Sequence, residues 1–313
     1  MEMKYLSIIF LLAIMSSCSI SRLQPQSSAA AKNYQQEHSV AIQTIADYDA
    51  EDGYYIFYAN KEAPHQKIVF FIHGYGAINP AIYGKWIKHL VGLGCVVIYP
   101  RYQKSSYRPG PRKFAENMSK GLLGGLNQLR SSKDLIADDP EVYYFGHSYG
   151  GAASLFFGLA YQEHGLPKPA AIFACQPGTG IYKAMRKKDY AALEKDIDLV
   201  VLSSEKDKVV GDKMAERAYR TAPAQDKIWI KQRAYSADTT DLKADHSSPC
   251  SVDLELDNQV YNLVYRLILK KGKFDQEDIA GYFKISEAIL EGEIGENGAL
   301  DALLFSFQSG GKD

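Results

Sequence analysis

The chain has little of what marks several large protein classes. It carries no excess of one charge: 36 Lys and Arg stand against 37 Asp and Glu in 313 residues. With no basic run, it lacks the electrostatic footprint of a nucleic-acid binder. No apolar stretch reaches the roughly 18 residues of a spanning helix, which argues against a polytopic membrane protein. Four cysteines are too few for a disulfide scaffold. No internal repeat is present, so solenoid and propeller architectures are set aside. What remains is 46% hydrophobic and 12% aromatic residues, a globular composition long enough for one large or two ordinary domains.

The first residues read as an address. Met1 to Lys4 precede an apolar run from Tyr5 to Met15, then Ser16, Ser17 and Cys18. A short apolar core ending in small residues is a secretory signal pattern. A cysteine directly after it resembles a bacterial lipoprotein cleavage box, which implies lipidation of Cys18 and an exported, membrane-anchored protein of the cell envelope. Removing residues 1–17 takes away only Glu2 and Lys4 among the charges. Residues 18–40, rich in Gln, Ser and Ala, read as the lipidated N-terminus and a flexible tether.

Beyond the tether the pattern alternates. Strands are expected at Gly53–Tyr58, Lys67–Ile72, Cys95–Tyr99, Glu141–Phe145, Ala170–Cys175, Leu199–Leu202 and Lys227–Gln232. Helices are expected at Pro80–Leu93, Arg112–Arg130, Gly151–Gln162, Ile181–Leu193, Asp212–Tyr219 and Asp253–Lys270. Such alternation implies an α/β fold with a mostly parallel sheet and helices on both faces. In such sheets the site lies at the carboxyl ends of the strands.

One strand end carries Gly146-His147-Ser148-Tyr149-Gly150. Between an apolar strand and a small-residue helix, G-x-S-x-G is a sharp turn that lifts a serine hydroxyl to the top of the sheet. After Ile72 comes His73-Gly74-Tyr75-Gly76. Acyl transfer needs backbone N–H donors aimed at the developing oxyanion; Tyr75 and Tyr149 are the candidates.

A serine needs a base, and there are seven histidines. His38, His65 and His73 lie upstream, His89 is inside a helix, His147 is in the turn itself, and His164 follows too soon. His246 remains, in the polar loop between the last strand and the long helix. The carboxylate that orients it is sought in Ser203–Gly211; Asp207 is the first candidate and Glu205 the reserve.

These residues together resemble the α/β-hydrolase superfamily over Gly53 to about Lys270. Within it the chain is most similar to chlorophyllase-like, dienelactone-hydrolase-like and lipase-like bacterial serine esterases. The resemblance implies an eight-stranded α/β-hydrolase sheet over residues 41–272 and a Ser148-His246-Asp207 triad that cleaves carboxylic esters. No metal or cofactor is required, and a monomer is expected, acting on a small-molecule or polymer-end ester. A peptidase or amidase on the same triad, or a silent envelope-binding lipoprotein, are the alternatives. Ser204 stands where many members carry Gly.

Several expectations concern the periphery. Residues 273–313 read as a helical extension packed on the domain. Residues 176–196 hold one expected helix, too little for a large cap domain over the cleft. Tyr75, Tyr83, Tyr102, Tyr107 and Tyr149 fall near the cleft rim, as substrate contacts or as packing. Cys95 is expected as a buried thiol, and a Cys175–Cys250 bridge is considered.

Overall fold

A computed structural model describes residues 26–105, 110–132, 135–187, 189–237 and 240–294. Cys18 with the expected leader, Tyr107, Lys188 and the end of the expected extension lie outside the described residues. The main sheet has eight strands: β1 Gln43–Asp47, β2 Tyr54–Tyr58, β3 His65–Ile72, β4 Val96–Pro100, β5 Ile136–His147, β6 Ala171–Cys175, β7 Asp198–Ser204 and β8 Lys227–Gln232. Their order across the sheet is β1-β2-β4-β3-β5-β6-β7-β8. The pairs β1–β2 and β2–β4 are antiparallel and all others are parallel. The fold is therefore α/β with a mostly parallel sheet, as the sequence pattern predicts.

The continuous apolar runs make central strands because both faces are covered. Successive side chains alternate between two cores. Val69, Phe71, Val97, Tyr99, Phe173, Val200 and Leu202 enter one cluster. Ile68, Phe70, Ile72, Val96, Ile98, Ile172, Leu199 and Val201 enter the other. Phe70 and Phe71 have no exposed surface, and each such burial stabilises by about 1.5–3 kcal/mol.

The helices are α1 Ala29–Glu37, α2 Gly84–Gly92, α3 Phe114–Ser131, α4 Tyr149–Ala160, α5 Lys213–Thr221, α6 Leu263–Lys271 and α7 Lys284–Glu291. Residues of α2, α6 and α7 line the first cluster; residues of α3, α4 and α5 line the second. Among the described residues no helix is long and apolar enough to cross a membrane.

Four elements differ from the sequence reading. The edge strand β1 was not among the seven readable ones: its sequence is QTIAD, it is mostly exposed, and it exists by pairing with β2. The expected tether is helical over α1, capped by the Ser28 side chain. The stretch expected as one helix over 253–270 is broken. Asp253, Asp257 and Asn258 each bond a backbone amide two residues on, and the helix restarts only at its Asn262 cap. Such side-chain turns compete directly with helix hydrogen bonds. The described residues of 181–193 hold only a 3₁₀ turn, Lys183–Met185. There Met185, Tyr190 and Leu193 are buried, and the Tyr190 amide donates to Thr221 instead of to a helical carbonyl.

Candidate active site

Strand β5 runs through the middle of the sheet and ends at His147; α4 begins at Tyr149. Ser148 between them has φ 57° and ψ −119°, a conformation that L residues rarely adopt. The turn is pinned on both sides: the Ser148 amide donates to the Cys175 carbonyl at 3.0 Å, and the Gly178 amide donates to the Ser148 carbonyl at 3.0 Å. Its glycines are sterically required. A Cβ on Gly150 would collide with the Ile72 carbonyl, and one on Gly146 with the Gly150 carbonyl.

Three separate loops meet at this serine. Ser148 Oγ lies 2.8 Å from His246 Nε2. His246 Nδ1 lies 2.7 Å from Asp207 Oδ2. Because the carboxylate only accepts, the network assigns the ring proton to Nδ1 and leaves Nε2 to accept from the serine hydroxyl. The Asp207 side chain is fully buried. Its other oxygen accepts from the amides of Val209 and Val210, at 2.8 and 3.1 Å. Burial pushes the Asp207 carboxyl up, but His246 and these two amides outweigh it and hold it below the usual carboxylate range. The reserve carboxylate, Glu205, points elsewhere and accepts from the Ala234 amide at 3.0 Å.

The loop after β3 packs against the serine turn: a Cβ on Gly74 would lie 3.3 Å from the Ser148 Cβ. The amides flanking Tyr75 are committed, Gly74 to the Tyr83 hydroxyl at 3.1 Å and Gly76 to Gln103 Oε1 at 2.7 Å. Tyr149 is the first residue of α4, so its amide sits at the positive end of the helix. The rim tyrosines divide. Tyr83, Tyr102 and Tyr149 are buried packing, while half-buried Tyr75 stacks on Tyr182 with ring centroids 5.1 Å apart.

Behind the triad runs a buried polar chain whose roles the sequence reading did not assign. The Tyr83 hydroxyl donates to His147 Nδ1 at 2.8 Å, and His147 Nε2 donates to Gln176 Oε1 at 2.9 Å. Burial, then the neighbouring His246, lowers the His147 pKa to about 3, so this ring stays neutral. The Gln176 amide donates to Ser204 Oγ at 2.5 Å and to the Asp245 carbonyl at 2.8 Å. Ser204 donates to Gln232 Oε1 at 2.7 Å, which also accepts from the Tyr282 hydroxyl at 2.8 Å. Ser204 thus uses its side chain where a glycine would leave Gln176 and Gln232 unlinked. Gln232 reaches Glu277 Oε1 at 3.4 Å, and the same oxygen accepts from the Ala244 amide at 2.6 Å. Burial pushes the Glu277 carboxyl up to about 7; the Ala244 amide and Ser248 oppose the rise, and Asp275 and Asp245 add to it. No motif or spacing in the sequence relates these residues, so nothing in it marks the polar chain.

Cys95, Cys175 and Cys250 are all buried free thiols, so the considered Cys175–Cys250 bridge is not formed. Burial pushes the Cys95 thiol up to about 12 and keeps it unreactive. No family model matches the chain, and a search of curated proteins found no match.

Proposed function

We propose that the chain is an α/β hydrolase that cleaves carboxylic esters through an acyl-enzyme. The observation that carries this reading is the continuous relay from Ser148 Oγ through His246 to the buried Asp207, at 2.8 and 2.7 Å. The strained Ser148 backbone and the β1-β2-β4-β3-β5-β6-β7-β8 strand order support it.

In the first half-reaction Ser148 Oγ bonds to the ester carbonyl carbon while its proton passes to His246 Nε2. The tetrahedral oxyanion is held by the amides of Tyr75 and Tyr149. The C–O bond to the alcohol breaks as His246 returns the proton to the leaving oxygen. Water then attacks the acyl-serine with His246 again as base, releasing the acid and restoring the serine. Asp207 keeps the imidazole oriented and stabilises its transient positive charge. The described residues of 176–196 hold one short 3₁₀ turn and no α-helix, which favours soluble, short-acyl esters over interfacial substrates. Exported placement, with Cys18 lipidated, completes the reading and rests on the leader sequence alone.

A fluorophosphonate probe tests the chemistry. Ser148 is expected to be labelled in the wild-type protein, and Ser148→Ala to lose both labelling and ester hydrolysis, by about 10⁴–10⁶ in kcat. A wild-type protein that hydrolyses no ester and takes no label would refute the reading.

A further inference from the structure

The histidine loop is not held by its own residues alone. Ala244, two positions before His246, is fully buried and has φ 45°, a left-handed backbone on a residue with a side chain. Such a conformation persists only where its surroundings over-determine it. Both of its peptide groups are clamped. Its carbonyl accepts from the Lys206 amide at 3.0 Å, next to Asp207, and its amide donates to Glu277 at 2.6 Å. Glu277 is 4% exposed and comes from a different part of the chain, after α6. It also bonds Ser248, whose hydroxyl accepts from the Asp245 amide at 3.1 Å. One carboxyl therefore contacts the loop on both sides of His246.

We infer that Glu277 is a positioning residue for the hydrolase, its carboxyl anchoring Ala244 and Ser248 so that His246 Nε2 stays within hydrogen-bonding reach of Ser148. This rests on the proposed ester hydrolysis for its kinetic consequence, but the anchoring itself is independent of it. The segment after α6 is then a brace for the catalytic base rather than extra packing. A buried amide without its acceptor pulls the loop toward water, and a misplacement of about 1 Å at a catalytic group costs up to about 10²-fold.

The test compares Glu277→Met, of similar length but with no acceptor oxygen, with Glu277→Gln, which keeps Oε1. The Met variant is expected to lose about 10- to 100-fold in kcat and in the rate of fluorophosphonate labelling, with KM little changed. Glu277→Gln should restore most of that loss. Native-state hydrogen exchange over residues 242–250 should quicken in the Met variant and not in the Gln variant. Unchanged kcat and exchange in a folded Glu277→Met would overturn the proposal. So would a Gln variant no better than Met, or a Met variant that cannot fold, because Glu277 would then hold the domain and not the loop. If the wild-type protein takes no label, the hydrolase reading fails while the exchange comparison still decides the anchoring.

Discussion

The conformation of Ser148 sets stability against chemistry in a way that two substitutions can separate. At φ 57° and ψ −119° the residue occupies a region that glycine visits freely and other residues do not. Holding a side-chain-bearing residue there costs about 1–3 kcal/mol. Ser148→Ala and Ser148→Gly both remove the hydroxyl, and with it the 2.8 Å bond to His246, so that loss cancels between them. Only the Ala variant keeps the Cβ that makes the backbone strained. Against the relief in the Gly variant stands the greater freedom of glycine in the unfolded chain, about 0.4–1 kcal/mol. The difference leaves Ser148→Gly more stable than Ser148→Ala by about 0.5–2 kcal/mol. For a domain of this size that is a Tm difference of roughly 1–8 °C. Urea denaturation of the two variants at one pH, with matching slopes, measures it. Neither variant should hydrolyse esters. A Gly variant equal to or less stable than the Ala variant would mean that the turn is not strained and that the reasoning is wrong.

Three further outcomes follow from the site. Asp207→Asn should lower kcat on the order of 10⁴-fold by favouring the wrong imidazole tautomer, whereas Glu205→Gln should leave kcat unchanged in the same ester assay. The raised carboxyl of Glu277 binds a proton in the folded state that the unfolded chain releases near 4.5. Its contribution to stability is therefore full below about 4.5 and lost as pH rises through about 7, on the order of 3 kcal/mol. Denaturation across pH 4–8 should show that fall in the wild type and lose it in Glu277→Gln. On the proposed lipidation of Cys18, Cys18→Ser should leave the protein unanchored or unprocessed, and mass spectrometry of an unmodified wild-type N-terminus at residue 18 would exclude the anchor.

How much of this was legible follows from which interactions are local. The central strands announce themselves because burial on both faces demands continuous apolar runs such as Lys67–Ile72 and Ala170–Cys175, found at or near their expected bounds. Gly146 and Gly150 were legible because a steric demand that admits only one residue type leaves a motif. The ends of elements were not. Helix periodicity over 253–270 is present in the apolar residues, but it is overruled by Asp and Asn side chains bonding their own backbone. A pattern of burial cannot report that competition, since it counts the apolar positions and ignores what the polar ones do between them.

The polar chain behind the triad was illegible for a different reason. Gln176, Ser204, Gln232 and Glu277 come from four strand ends and loops, and no spacing in the sequence relates them. Each alone reads as a solvated side chain. Their meaning lies in burial: every one is less than a tenth exposed, and a buried polar group costs about 1–3 kcal/mol unless it is partnered. Four such groups persist because each satisfies the next. The polar chain joins the serine turn (through His147 and Gln176), the acid loop and the histidine loop to a segment some thirty residues further on, and so couples the three loops that carry Ser148, Asp207 and His246. Candidate residue types can be read from a motif. The rigidity that holds His246 between Ser148 and Asp207 is a property of the folded interior, and is visible only once the strand ends are brought together.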